Sequence, residues 1–592
     1  MAEDRIFEIG FVMAGAISAG AYTAGVMDFM VEALDAYEEA KNKSGWTGPT
    51  HNVRVPVLAG ASAGGMTSAL CALHAFRDLE HVWPGKPRPR PQRNRLYSSW
   101  VTDVSIERLL ELTDLAGANR EQGVMSLLCC DVLDEIVANA FDIEGALKVR
   151  NWIGRGTDHR LRVFLTLTNV RGVPYSFPLF GAEADERYGM LNHADYGAFS
   201  VGPSSDFIDA TPLDVRNFDG PNWPTFKTMA LATGAFPVGL RPRLIERESA
   251  GWYRNAECVG YEDWRRRQGA FVPIAPDSSF GDETPYRFVA VDGGTINNEP
   301  LELARRYLAG PDPGHPHNPQ DGDRADSAVV LVAPFPNYRA APPKDEATKL
   351  IRVFPHTGVA LQDQARLKPE ELALAANDKV FSRFMICPIR GSAANDVARK
   401  LPIASGSLHG FGGFLHESFR RHDYLLGRRN AQAFLHWNFG LPKTNPLFDG
   451  AAIDEGRWQV RDADRAKGTL TLAKSLALQP KMFAPDAAAP AATPGYPIIP
   501  LVDRLCAPIE IGADDMPQPD AISLDDLKDR IGKRAEAVID TLVDVDFKDL
   551  LENSILGDLE KLGAKRFGKI VATKKAFDIV GKATEEVKNS FG

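Results

Sequence analysis

Gly60-Ala61-Ser62-Ala63-Gly64 follows the apolar run 53–59 and precedes a helix-compatible stretch at 66–76. Strand, tight turn of small residues, then helix is the context in which a serine is held on a sharp turn with its hydroxyl above a sheet edge. Small residues on both sides of Ser62 permit the turn, and the helix that follows points its N-terminus at the site, which favours negative charge there. Glycine-rich turns also produce such pentapeptides by chance, so the surrounding sequence has to supply the context.

Working outward, residues 6–13 form a short apolar run ending at Ala14-Gly15, and 18–40 carries helical apolar spacing at Val26, Phe29, Met30, Ala33 and Leu34. Further on, 161–168 reads as a strand and 225–233 as a helix ending at Gly234-Ala235-Phe236-Pro237. Residues 286–291 read as a strand running into Asp292-Gly293-Gly294, and 328–333 as one more buried strand. This alternation predicts an α/β layer architecture around a mostly parallel sheet of at least five strands.

A serine hydroxyl is a weak nucleophile and needs a base. His356, His409, His416 and His422 are available, but none stands at a clear strand end, and Ser62 follows only two predicted strands. Both facts disfavour a serine–acid–histidine order of the α/β-hydrolase kind. Asp292 does stand at a strand end, and Gly293 and Gly294 let the backbone approach another segment closely. A plain turn continued by Asn297 and Asn298 is the alternative. Polar groups at the carboxyl ends of strands in one parallel sheet converge, which favours pairing Asp292 with Ser62.

The set of an early glycine-containing turn, a GxSxG elbow some 45 residues later and a distant DGG after a strand resembles the patatin-like phospholipases. The block from Ala230 to Pro237, and Asn298 and Pro300 after the DGG, are similar to the same family, and the resemblance covers roughly 6–335. It implies a patatin-like three-layer α/β/α domain, with Ser62 as nucleophile and Asp292 as base in a Ser–Asp dyad. Gly60, Gly64, Gly293 and Gly294 would shape the turns. It also implies a lipid ester substrate cleaved through an acyl-enzyme, with no cofactor and no metal. One departure stands out: the family's glycine-rich oxyanion motif falls on Gly15-Ala16-Ile17-Ser18-Ala19-Gly20, without the central glycines or the basic residue. Backbone N–H groups near Gly15, Ala16 and Ile17 can still donate, because an oxyanion hole needs main-chain donors. An acyltransferase or thioesterase using the same dyad, and a catalytically silent scaffold of the same fold, are the alternatives.

Composition sets outer bounds. With 592 residues, 44% hydrophobic and 25% charged, the chain is an ordinary globular one, large enough for more than one domain. A net charge of −10 and the absence of a recognition motif argue against a nucleic-acid partner. The basic loop from Lys86 to Arg95 reads as solvating charge on a proline-rich connector, with contact to an anionic lipid surface as the other reading. Six cysteines form no disulfide framework and no CxxC pair, which points to a reducing, cytoplasmic compartment. The apolar segment 9–30 lacks a basic flank, so a signal peptide is not expected, and no run is long enough to span a bilayer. Contact with lipid would be peripheral, and oligomeric state is left open.

We expect a catalytic domain over 1–340, with 105–150 helical, and a helical extension packed on it over 341–482. A Pro/Ala-rich linker over 483–522 and a charged helical segment over 523–592 follow. The apolar face Ile531, Ala535, Val538, Ile539 and Leu542 is read as packing on the enzyme body.

Overall fold

The computed structural model describes residues 5–155, 159–178, 187–204, 210–255, 260–263, 270–277, 280–281, 283–310, 318–335, most of 363–390, 402–458 and 495–546. Strands β1 (Ile6–Met13), β2 (Asn52–Gly60) and β3 (Leu161–Pro178) lie side by side and parallel, with helices α1 (Gly20–Lys41) and α2 (Ala63–His74) in the first two crossovers. β3 turns back into β4 (Arg187–Gly202), which pairs with the edge strand β5 (Thr211–Asp214). Helix α3 (Asp131–Asn139) precedes β3, and helix α4 (Trp223–Thr233) follows β5. β6 (Arg243–Arg247) and β7 (Tyr286–Asp292) form an antiparallel pair, and β7 runs antiparallel to β3. Beyond helix α5 (Leu301–Ala309), β8 (Ser327–Val332) and β9 (Arg383–Ile386) extend the other side of the sheet in parallel. The order is β9-β8-β1-β2-β3-β4-β5, with β7 and β6 attached to β3.

Side-chain alternation divides the sheet into two faces. Phe7, Ile9, Phe11 and Met13 of β1 pack with α1 and α2, whereas Val12 faces α5 through Ala304 and Leu308. β2 changes phase: Val53 and Val55 face α1 and α2, then Leu58 does, while Val57 and Ala59 join the α5 side. The cause is a bulge. Glu8 pairs with Arg54 but Gly10 with Val57, so β2 carries one extra residue between them, at Pro56, which has no N–H for a regular ladder.

α1 is buried along nearly its whole length, because helix α6 (Glu417–Trp437) covers the side that the sheet does not. The two helices touch backbone to backbone. A Cβ on Gly25 would sit 1.9 Å from the Tyr424 carbonyl oxygen, and one on Gly427 would sit 2.1 Å from that of Tyr22. Gly427→Ala therefore has to push two main chains apart, and we expect a loss of about 1–3 kcal/mol in chemical denaturation. Next to the crossing, Arg428 donates to Asp28 at 2.6 Å and to Glu32 at 2.5 Å, with none of the guanidinium exposed.

Several expectations change. Within 105–150 the α-helices among the described residues are Ile106–Leu109 and α3, joined by short 3-10 turns at Thr113–Leu115 and Gly117–Gln122; Gly117 and Gly123 at positive φ interrupt the α-helical period. The stretch expected to be helical after 346 contains the strand β9, since an element of four residues is too short for its period to be read. From 495 onward the expected linker is packed: Gly495–Pro497 pairs with Gly440–Pro442, and Ile498 and Ile499 are fully buried. Residues 461–494 and 547–592 lie outside the described residues. The basic loop is internally neutralised in part, through Arg88–Glu417, Arg90–Glu144 and Arg95–Asp142. Helix α7 (Leu524–Thr541) lays Leu527 and Ile531 against Leu110 and Leu415, and its buried Arg534 is bonded to Asp114 and to the Leu127 carbonyl.

Candidate active site

Ser62 occupies the two-residue turn between β2 and α2 at φ 53° and ψ −130°, a left-handed conformation that costs a non-glycine residue energy. The flanking glycines make room for it. A Cβ on Gly64 would lie 2.1 Å from the Met13 carbonyl oxygen, and one on Gly60 would lie 2.5 Å from that of Gly64. The turn is clamped by the Ser62 N–H, which donates to Thr233 Oγ1 at 3.0 Å, and by the Met66 N–H, which donates to the Ser62 carbonyl at 3.0 Å.

Asp292 ends β7, where its N–H donates to the Ala235 carbonyl at 2.9 Å and its carbonyl accepts from Thr168 Oγ1 at 2.8 Å. The Ser62 hydroxyl donates to Asp292 Oδ2 at 2.6 Å, and the Gly294 N–H donates to Oδ1 at 2.7 Å. Burial raises this carboxyl to about 7, against the pull of those two hydrogen bonds. The sequence places Asp292 on a strand parallel to the others, but β7 is antiparallel. It meets Ser62 because β3 runs on past the sheet as a ribbon. β7 returns along that ribbon and ends at Leu167, two residues beyond the Leu165 that pairs with Gly60.

The N-terminal turn lies against the same point. The Gly15 N–H donates to the Asn298 carbonyl at 3.2 Å, and a Cβ on Gly15 would be 2.9 Å from Ser62 Cβ. Ala16 and Ile17 begin a short 3-10 helix, Ile17–Ala19, whose first N–H groups have no partner within the helix. Ile17 takes φ 48°, a glycine-like conformation imposed on a β-branched side chain. Ser18 fastens the turn from behind: its hydroxyl donates to the Gly410 carbonyl and accepts from the Gly413 N–H at 3.0 Å.

Ser62 opens into an apolar cavity of about 920 Å³, its mouth included, bounded by α2, α3 and α4. The two candidate histidines whose side chains are described, His416 and His422, do not enter this arrangement. His416 caps α6 by accepting from the Ser418 N–H, and His422 is paired with Asp423. His356 and the side chain of His409 lie outside the described residues. Among the described residues no group of three His, Cys, Asp or Glu side chains could hold a metal ion, and no helix is long and apolar enough to cross a membrane.

Residues 11–305 match the family described as patatin-like phospholipase. The chain belongs to that family. It is also 37% identical over 490 residues to the uncharacterized protein y4iI of Sinorhizobium fredii (strain NBRC 101917 / NGR234), an alignment covering 75% of this chain and 67% of that protein. That similarity covers more of the chain than the patatin-like phospholipase match does. Membership supports a lipid acyl hydrolase at the level of the family. Where the patatin-like phospholipase pattern calls for glycine, Ile17 supplies the backbone conformation at a cost of about 1–2 kcal/mol. Thr168 and Ser18, which with Thr233 hold the three segments in place, carried no signal in the sequence, since each lies over 100 residues from its partner; Thr233, 171 positions from Ser62, stood in the 230–237 block but with no sign of its role.

Proposed function

We propose that the protein is a serine-dependent lipid acyl hydrolase of the phospholipase or lysophospholipase type, in which Ser62 and Asp292 act as a catalytic dyad. The observation that carries this is the 2.6 Å hydrogen bond between them at the head of an apolar cavity. Asp292 takes the hydroxyl proton as Ser62 Oγ attacks the ester carbonyl. The N–H groups at Ala16 and Ile17 face the developing oxyanion, where each donor is worth about a hundred- to a thousandfold in rate. As the tetrahedral intermediate collapses, Asp292 returns the proton to the leaving alcohol and the acyl group stays on Ser62. Water then attacks the acyl-enzyme, giving a proton to Asp292; the bond from the acyl carbon to Ser62 Oγ breaks, Asp292 returns that proton to Oγ, and the carboxylic acid leaves. No step calls on a cofactor.

An aspartate at its ordinary pKa of about 3.9 is too weak a base for this step, and burial brings it into range. Only the ionised carboxylate can accept the proton. kcat/KM is therefore expected to rise about tenfold per pH unit up to about 7 and to level off above it. A flat profile from pH 5 to 8 would remove Asp292 from this role.

Contact with a lipid surface is supported by Val238 and Leu127, which are 71% and 47% exposed and joined by a hydrogen bond from the Leu127 N–H to the Val238 carbonyl. Val238 stands between Phe236 and Leu240 of the cavity wall, so this apolar ridge borders the cavity. The described cysteines are all unpaired, which supports a reducing compartment such as the cytoplasm. The direct test of the whole reading is labelling by a fluorophosphonate, expected to be covalent at Ser62 and absent in Ser62→Ala. Absence of both labelling and ester turnover in the wild type would move the protein to the scaffold class.

A further inference from the structure

The cavity has a measurable length. α2 begins at Ser62 and walks away from it, and Ala63, Met66, Leu70 and Leu73 line the cavity in turn. At 1.5 Å per residue, Leu73 stands about 16 Å along the helix from the serine. α4 runs the opposite way. Its C-terminal end is at the serine through Thr233, and Gly234, Ala230 and Phe226 line the cavity over about 12 Å. Leu133, Ile136 and Val137 of α3 close the third side.

At the end away from Ser62 the cavity wall carries Phe141, which is backed by two more rings. Phe141, Phe218 and Trp223 meet edge to face in all three pairings, with centroids 5.5, 5.3 and 5.1 Å apart. Trp223 is the first residue of α4, and Arg77, just beyond the end of α2, lies over Phe218, so the cluster sits where both helices are farthest from the serine. Lys227 places its ammonium 4.0 Å from the Phe141 ring centre.

Resting on the hydrolase reading of the same site, we propose that this cavity is a ruler for one straight acyl chain, with Phe141 as the residue that sets its length. A fully extended chain advances about 1.2 Å per bond, a third of the 3.3–3.6 Å that a polypeptide gains over its three backbone bonds. The distance from Ser62 to the ring cluster therefore holds about 12 carbons. Each methylene moved from water into the cavity is worth about fourfold in kcat/KM until the chain meets the rings. Beyond that, additional carbons have to displace Phe141 or fold back.

The test is the chain-length profile of p-nitrophenyl esters from butyrate to stearate, with wild type, Phe141→Ala and Ala230→Phe. In the wild type, kcat/KM is expected to climb to laurate and to be about tenfold lower on palmitate. Phe141→Ala should raise the palmitate-to-laurate ratio about tenfold. Ala230→Phe, which blocks the cavity partway, should lower the laurate-to-octanoate ratio by a similar factor. Ratios within one variant are insensitive to the fraction of protein that folds. A profile still rising at stearate, or ratios unmoved in both variants, would overturn the ruler. A second arm measures displacement of a fluorescent fatty acid from Ser62→Ala by free fatty acids of the same lengths. Tightest binding of laurate there, with no hydrolysis by wild type, would keep the ruler and discard the hydrolase; hydrolysis with no preference in length would do the reverse.

Discussion

Ser62→Ala and Asp292→Asn are each expected to lower kcat/KM on a long-chain ester by about 10⁴-fold or more, measured as fatty acid released from p-nitrophenyl esters and from phospholipid vesicles. In the proposed dyad the first removes the atom that would become acylated. The second keeps the shape and the hydrogen bond to Ser62 but leaves a group that cannot take up a proton near neutral pH. Because the two side chains act as a unit, the double variant should lose little more than either single one. The same Asp292→Asn change is expected to stabilise the fold. Asp292 has a folded-state pKa near 7, against about 3.9 in an unfolded chain, so the folded protein holds its proton more tightly. That contribution favours the folded state fully below about pH 4 and is lost as pH rises through 7, where the buried carboxyl must ionise. The variant, which has no such proton to lose, should gain in melting temperature relative to wild type between pH 4 and 7 and hold the gain above it. A variant less stable than wild type at pH 8 would show that the carboxylate contributes more to the fold through its hydrogen bonds than its burial costs.

Arg428→Ala is expected to cost about 3–5 kcal/mol, the second-largest effect, although the residue is on α6 and makes no contact with Ser62. Burial pushes the Asp28 carboxyl up, but Arg428 and His81 pull it down further, to about 2. Removing the guanidinium leaves Asp28 and Glu32 buried with only His81 and, at the edge, Arg504 to neutralise them. Arg428→Met should cost nearly as much, because it restores volume but not charge. A triple variant that also carries Asp28→Asn and Glu32→Gln should recover much of the loss. Denaturation midpoints of the three proteins separate packing from charge. If the triple variant is no more stable than Arg428→Met, the crossing is held by shape alone.

Why some of this was readable in the sequence and some was not follows from range. Strands β1, β2, β7 and β8 and the elbow at Ser62 are local patterns: apolar runs bounded by glycine, each about as long as the strand it forms. Ser62 and Asp292 could be paired because both stand at strand ends beside glycines that have no room for a side chain. The antiparallel return of β7 was not readable, since strand direction is decided by which neighbour β3 offers 120 residues earlier. Nor was the packed segment after 495, whose alanines and prolines read as a linker but whose Ile498 and Ile499 fill a core built mostly from the first half of the chain. The helix prediction over 105–150 held only in part, at Ile106–Leu109 and α3, where Leu133, Ile136 and Val137 keep a helical spacing along the cavity; between them the chain turns at Gly117 and Gly123.

The crossing of α1 with α6 also bears on how the chain is made. Arg428 and Asp28 are 400 positions apart, so a ribosome that has delivered the whole GxSxG half has yet to deliver the cation for two carboxylates on the first long helix. Contacts of such range are slow to form and leave apolar surface open meanwhile. The turn carrying Ala16 and Ile17 leads directly into that helix and is tied through Ser18 to residues 410 and 413. A nascent chain would carry Ser62 long before the turn at Ala16 and Ile17 is seated, because residues 410 and 413 are delivered about 350 positions after Ser62.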